Sequence, residues 1–191
     1  MSEQQIERRN GDWLCTALGH QFWPLDPRPE EVHPEDIAHA LSNMCRFGGH
    51  SLCFYSVAEH SVRVAVEIGR RGASVAVQLA GLLHDGSEAY MVDVPRPIKH
   101  DPRFSFYREA EDRLQNIVFD RFGISAEDRN DPIIKLIDNV ILATEKRDLM
   151  PPTAAEWAPL PDPLAGHIQP WGQDRAKRSF LTRLKYLGAE I

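Results

Sequence analysis

The run Val75-Ala-Val-Gln-Leu-Ala-Gly-Leu-Leu83 is apolar apart from Gln78, and it closes on His84 and Asp85. A segment of that composition belongs in a protein interior. An unpartnered polar group there costs roughly 2–7 kcal/mol, and an unpaired charge costs more. The chain must therefore bring partners to the end of this run. A metal ion would satisfy both side chains at once; a hydrogen-bonded pair would also serve.

The surrounding sequence reads as helices. Pro34 stands at a first helical turn with Glu35 and Asp36 behind it. Ile37, Ala40, Leu41 and Met44 then keep helical spacing, and Phe47-Gly48-Gly49 offers the stop. Ser56-Val-Ala-Glu59 is a capping-box sequence that opens a second helix, running to Gly69 and Gly72. A third is expected over about 74–85, and a short helix or turn through 88–91 before Pro95 and Pro97 break the pattern. Further helices are expected over about 103–122, from Asp131-Pro132 to about 149, and over about 173–187. No stretch of six or more residues alternates as a half-buried strand does. The expected fold is all-α: a helical bundle in one domain. Residues 1–33 form an irregular or short-hairpin arm, 34–150 the metal-binding core, and 151–191 a proline-rich crossing and C-terminal helix.

Composition narrows the function classes. The 191 residues carry a net charge of −6, which argues against a general nucleic-acid surface but leaves room for a local basic pocket. No apolar run reaches the length of a membrane span, and the first ten residues have no signal-peptide core. Cys15, Cys45 and Cys53 lack CxxC spacing, so reduced, partly buried thiols in a cytoplasmic protein are expected. A small-molecule ligand is the expected partner, with no nucleic-acid polymer and no membrane; a homodimer is left open.

His60, in Ser-Val-Ala-Glu-His-Ser, and Asp138, in Lys-Leu-Ile-Asp-Asn-Val, extend the set begun by His84 and Asp85. A single helical histidine is more often a core or surface residue than a ligand. Two imidazoles with two carboxylates, however, make the donor set of a divalent transition metal: cobalt, manganese, zinc, nickel or iron. Such an ion generates hydroxide near neutral pH and clamps phosphate oxygens, which points to phosphate-ester hydrolysis.

The order His60 … His84-Asp85 … Asp138 resembles the H…HD…D signature of the HD-domain phosphohydrolases. The stretch His84-Asp-Gly-Ser-Glu-Ala-Tyr-Met-Val-Asp-Val-Pro-Arg-Pro-Ile-Lys99 is similar to the bacterial HD-domain 5′-deoxynucleotidases. The segment Asp36 to His50 looks more like bacterial and phage HD hydrolases, some of which act on deoxynucleoside triphosphates. The resemblance implies an HD-domain bundle and a metal-dependent enzyme. Its implied substrate is a deoxynucleoside 5′-monophosphate; the alternatives are a deoxynucleoside triphosphate, or a non-catalytic nucleotide-binding regulatory module.

Within that reading His60, His84, Asp85 and Asp138 hold the metal. Glu88, four residues after His84, shares its helix face if the helix continues, and serves as general acid or base; the alternative is a surface carboxylate. Asp93 orients the sugar hydroxyl or caps its own loop. Arg46 presents a planar fork to phosphate. Lys99 adds positive charge or is solvated. Phe47 packs on sugar or base, or in the core. His50 is either a group supporting the site from behind or a proton donor. Glu145, two turns beyond Asp138, could face the same cavity, but with Arg147 nearby a surface salt bridge is the favoured reading.

Overall fold

Ser56 Oγ accepts the Glu59 backbone N–H at 3.1 Å and opens helix α2, Val57–Arg70. This is half of the expected capping box. Glu59 does not reach back; its carboxylate takes Arg63 and the Trp171 N–H instead. The computed structural model describes residues 9–190. Residues 1–8, assigned to the arm, lie outside them.

Before α2 come a two-residue antiparallel pair, β1 (Leu14–Cys15) and β2 (Gln21–Phe22), and α1 (Pro34–Asn43). After it come α3 (Val75–Leu83), α4 (Glu88–Met91), α5 (Arg96–Lys99), α6 (Ser105–Arg121), α7 (Ala126–Arg129), α8 (Pro132–Leu149) and α9 (Gln173–Tyr186). The described residues are 57% helical, so the expected all-α class holds, with a hairpin arm at the N-terminal side. Three expectations need correction. α1 stops at Asn43, because Met44 and Cys45 turn extended and Cys45 bridges to Ser56; Arg46–Gly49 is a separate 3-10 turn. The break expected at Pro95 and Pro97 is present over residues 92–95, but the chain then resumes as α5, a turn the sequence reading did not include, with proline tolerated at its start. Cys15 and Cys53 are exposed rather than partly buried.

α2 packs against α3, α8 and α9. α3 and α2 meet closely at Gly81, where a Cβ would stand 2.3 Å from Ile68 Cδ1. The buried core joins Phe22 and Val32 of the arm, Leu79, Leu82 and Leu83 of α3, Ile137 and Ile141 of α8, and Phe180 and Leu184 of α9. Arm and C-terminal helix thus share the apolar interior that surrounds α2. Among the described residues no helix is long and apolar enough to cross a membrane.

Candidate metal centre

Three helices deliver the site. α2 buries His60 completely, one turn beyond its Ser56 cap. α3 ends at Leu83, so His84 is its C-cap and Asp85 enters a turn. The expected continuous helix to Asp85 is therefore wrong, and the break has a function. Adjacent positions on an unbroken helix would diverge by about 100°, whereas the turn lets both side chains face the interior. Gln115 of α6 pins it, accepting the Ser87 N–H at 2.9 Å and donating to Leu83 O at 2.8 Å. A Cβ on Gly86 would meet Val118 at 2.9 Å and Leu83 O at 3.0 Å, so only glycine fits the bend. Asp138 projects from α8, which opens at Asp131.

His60, His84 and Asp138 each present one donor atom within 4.8 Å of the others. His60 Nε2 lies 3.4 Å from His84 Nε2 and 3.3 Å from Asp138 Oδ1; His84 Nε2 is 4.0 Å from that oxygen. Metal–nitrogen bonds of about 2.0–2.1 Å allow two donors on one ion to stand at most about 4.2 Å apart, and roughly 3.4 Å at a tetrahedral angle. All three separations fit. Asp85 stands beside the trio, Oδ1 at 3.3 Å from His84 Nε2 and Oδ2 at 3.8 Å from His60 Nε2. The four predicted ligands converge, three of them as a mutual cluster.

Both rings are oriented from behind. His84 Nδ1 donates to Gly81 O at 2.8 Å, and His60 Nδ1 donates to Glu145 Oε1 at 2.6 Å. Each imidazole therefore aims Nε2 inward, the arrangement in which an outer carboxylate or carbonyl fixes a metal-binding tautomer. Burial and the Arg46 charge oppose protonation of His60. Glu145 and Asp138 outweigh them, and the imidazole is pushed up to about 9. Burial alone would raise Asp138, but its hydrogen bond to His60 and the charges of His60, His84 and Lys135 hold it well below the usual carboxylate range.

Glu145 corrects the sequence reading. It is fully buried, not part of a surface salt bridge, and links His60 to Arg46, whose Nη2 lies 3.4 Å from Oε2. Arg147 pairs with Asp148 instead. The i, i+7 spacing from Asp138 carried the signal, since two turns return to one face.

Arg46 reaches the same centre, its Nη1 3.5 Å from Asp85 Oδ2. Its buried Nε has no hydrogen-bond partner among the described residues. Phe47 lies under the guanidinium, 5.4 Å from ring to Cζ, and holds a left-handed backbone at φ 57°, unusual for a bulky residue. Glu88 does not continue the helix of His84; it opens α4 and is buried there, with Oε2 unpartnered among the described residues. Burial and the charges of Asp85 and Asp93 raise its carboxyl well above the ordinary range, against the opposing pull of Arg46 and Lys99. Asp93 is half-buried within reach of that field. Lys99 is neither solvated nor uncommitted: Glu111 holds its ammonium at 2.7 Å. His50 is exposed, and among the described residues no hydrogen bond or ion pair joins it to the cluster.

No family model matches the chain. It is 34% identical over 137 residues to the uncharacterized protein YfdR of Escherichia coli (strain K12), a match covering 72% of each chain. It is also 36% identical over 118 residues to an uncharacterized protein of Rhodobacter capsulatus, covering 60% of each.

Proposed function

The chain belongs to the family of YfdR, and we propose that it is an HD-type metal-dependent phosphohydrolase that cleaves the phosphate ester of a small nucleotide, a deoxynucleoside 5′-monophosphate first. The observation that carries this reading is the convergence of His60 Nε2, His84 Nε2 and Asp138 Oδ1 with both Nδ1 atoms already committed. The donors fit a divalent transition ion of the cobalt, manganese, zinc, nickel or iron class. His60, His84 and Asp138 would hold such an ion with Asp85 beside them, and it would activate water and neutralise phosphate charge.

The chain's own residues supply the rest. Arg46 has an unused donor and lies against the cluster, so it can take non-bridging phosphate oxygens that the carboxylates would repel. Asp85 and Glu145 hold the guanidinium loosely, at 3.5 and 3.4 Å, and a phosphate can replace those contacts. Glu88 stays protonated beyond the usual carboxylate range. As the water oxygen bonds to phosphorus and the ester P–O bond breaks, Glu88 gives its proton to the leaving nucleoside oxygen, and a proton of the attacking water returns to the Glu88 carboxylate. Asp93 orients the sugar, and Lys99 acts at a distance through its charge. The reading puts the enzyme in the cytoplasm.

The test is phosphate release from a panel of deoxynucleoside mono- and triphosphates, each with several divalent metals and with chelator. Metal-dependent release from a monophosphate is expected. Turnover of triphosphates alone would move the substrate to that class, and nucleotide binding without turnover for any pairing would sink the enzymatic reading.

A further inference from the structure

The outer face of α9 carries a cluster of arginines, of which Arg175 lies in the field of the buried Glu59 carboxylate. Arg175, Arg178 and Arg183 line a groove of about 560 Å³ whose floor is Val62 of α2. Among the described residues none of the three makes an ion pair. Arg175 lies over the Trp171 ring at 4.7 Å, and Arg63 lies over the same ring at 5.0 Å. Tyr186, at the far end, is 75% exposed and has the Arg183 guanidinium at 4.9 Å.

Arg183 is the informative member. Its Nη2 donates to Gln78 Oε1 at 2.7 Å and Ala65 O at 3.3 Å, which fixes the side chain. Its buried Nε finds no partner among the described residues. Burial pulls its pKa below the ordinary arginine value, and no carboxylate opposes that. A fixed, partly desolvated guanidinium without an acid is costly in a chain whose net charge is −6. An anion supplied from outside would remove the cost.

The groove is distinct from the metal centre, because none of the proposed ligands lines it. His60 and Val62 are two positions apart on α2, about 200° around the helix, so the two sites lie on opposite sides of one helix. They are also mechanically joined. Glu59, next to His60, accepts the Trp171 N–H at 2.7 Å and holds Arg63 against the same tryptophan.

We infer that this groove between α2 and α9 is a second nucleotide site, with the phosphate on Arg175, Arg178 and Arg183 and the base on the exposed face of Tyr186. The volume lies in the usual range of small-ligand clefts, about 300–1,000 Å³. Three guanidinium groups, none of them in an ion pair among the described residues, suit the charge of a phosphate monoester, and the aromatic ring gives a planar base a surface to stack on. Inorganic phosphate alone would leave Tyr186 unused.

The inference goes beyond the proposed reaction and does not rest on it. Its test is calorimetric titration of the monophosphates of adenosine, guanosine, cytidine and thymidine into the full chain carrying Asp138→Ala, in chelator, so that the metal centre cannot compete. If that variant does not fold by circular dichroism, the native chain in chelator replaces it. One saturable site is expected for at least one nucleotide. Arg175→Gln with Arg178→Gln, both at exposed positions, should weaken it about tenfold or more, the loss of at least one charge-assisted hydrogen bond. Absence of saturable binding for all four, or unchanged affinity in the double variant, overturns the site. Inorganic phosphate binding as tightly as the best nucleotide overturns the role of Tyr186. Tighter binding of a twelve-residue oligothymidylate overturns the mononucleotide assignment.

Discussion

Glu145 Oε1 accepts His60 Nδ1–H at 2.6 Å while Oε2 of the same carboxylate faces Arg46 Nη2 at 3.4 Å. One fully buried side chain thus sets the direction of His60 Nε2 and the position of the guanidinium nearest the His60–His84–Asp138 cluster. Burial would raise this carboxyl, but Arg46 and His60 pull it down to about 2, so it stays ionised. Glu145→Gln keeps the size and an acceptor oxygen but removes the charge. Metal affinity should fall about 10–100-fold, as expected when an outer partner of a metal histidine is altered. Affinity equal to the parent in a competitive chelator titration would reduce Glu145 to a packing residue.

The metal-free protein should lose stability as pH rises. His60 is raised in the folded state from 6.5 to about 9. Its contribution is therefore complete below about pH 6.5 and disappears as pH climbs through about 9, a loss on the order of 3 kcal/mol for a buried group. Thermal melts in chelator at pH 6 and pH 9.5 would measure it. A bound ion takes the place of the Nε2 proton, so saturating metal should flatten the dependence. Identical pH dependence with and without metal would mean that His60 is not a ligand.

Much of this arrangement was legible in the sequence because it follows helical geometry. Ser56 marks where α2 begins, so His60 could be placed one turn inside it. The apolar run up to Leu83 made His84 and Asp85 buried polar residues in need of partners. Glu145 was equally present, seven residues beyond Asp138 and on the stripe of Ile134, Ile137 and Ile141. It was read as surface because glutamates are seldom buried, and a sequence does not state which charge is the exception. Two other features were out of reach. Lys99 and Glu111 meet across the turn between α5 and α6, so their pairing depends on tertiary approach. The left-handed backbone of Phe47 is set by the 3-10 turn and has no residue-type signal.

Glu88→Gln separates chemistry from stability. The glutamine cannot give up a proton, so turnover should fall by roughly 10²–10⁴-fold with metal content unchanged. The folded state holds the Glu88 proton more tightly than the unfolded state does, so native Glu88 costs stability as pH rises above its ordinary carboxylate value. The variant escapes that cost and should melt higher at pH 8 while it turns over more slowly. Parent-like turnover would remove Glu88 from the reaction.

Asp148 anchors the proline-rich crossing to α8. It accepts the Ile168 N–H at 2.8 Å, pairs with Arg147 and His167, and so seats Ile168 against Tyr55 and Leu149. Arg147 leads in holding its carboxyl well below the usual range. Its contribution is present above the ordinary aspartate value and vanishes as pH falls through the lowered one. Asp148→Asn should cost about 1–3 kcal/mol and make residues 151–170 the first site of limited proteolysis. Cleavage elsewhere at the parent rate would show that the crossing is held by other contacts.

The proposed phosphate clamp is tested at Arg46. The guanidinium is held only at 3.4–3.5 Å by Glu145 and Asp85, and its Nε is unused, so it has donors to offer a phosphate without losing a strong bond. Lysine keeps the charge but not the fork. Arg46→Lys should retain part of the activity on a deoxynucleoside monophosphate. Arg46→Ala should lose about 10–100-fold in kcat/KM for each phosphate contact removed. Alanine also leaves Glu145 with one charged partner instead of two, so a melt must accompany the kinetics. A variant that is folded, metal-loaded and slow places Arg46 on the phosphate. A variant that is folded and as efficient as the parent makes Arg46 a structural counter-ion for Glu145 and Asp85, and the phosphate charge must then be met by the metal alone.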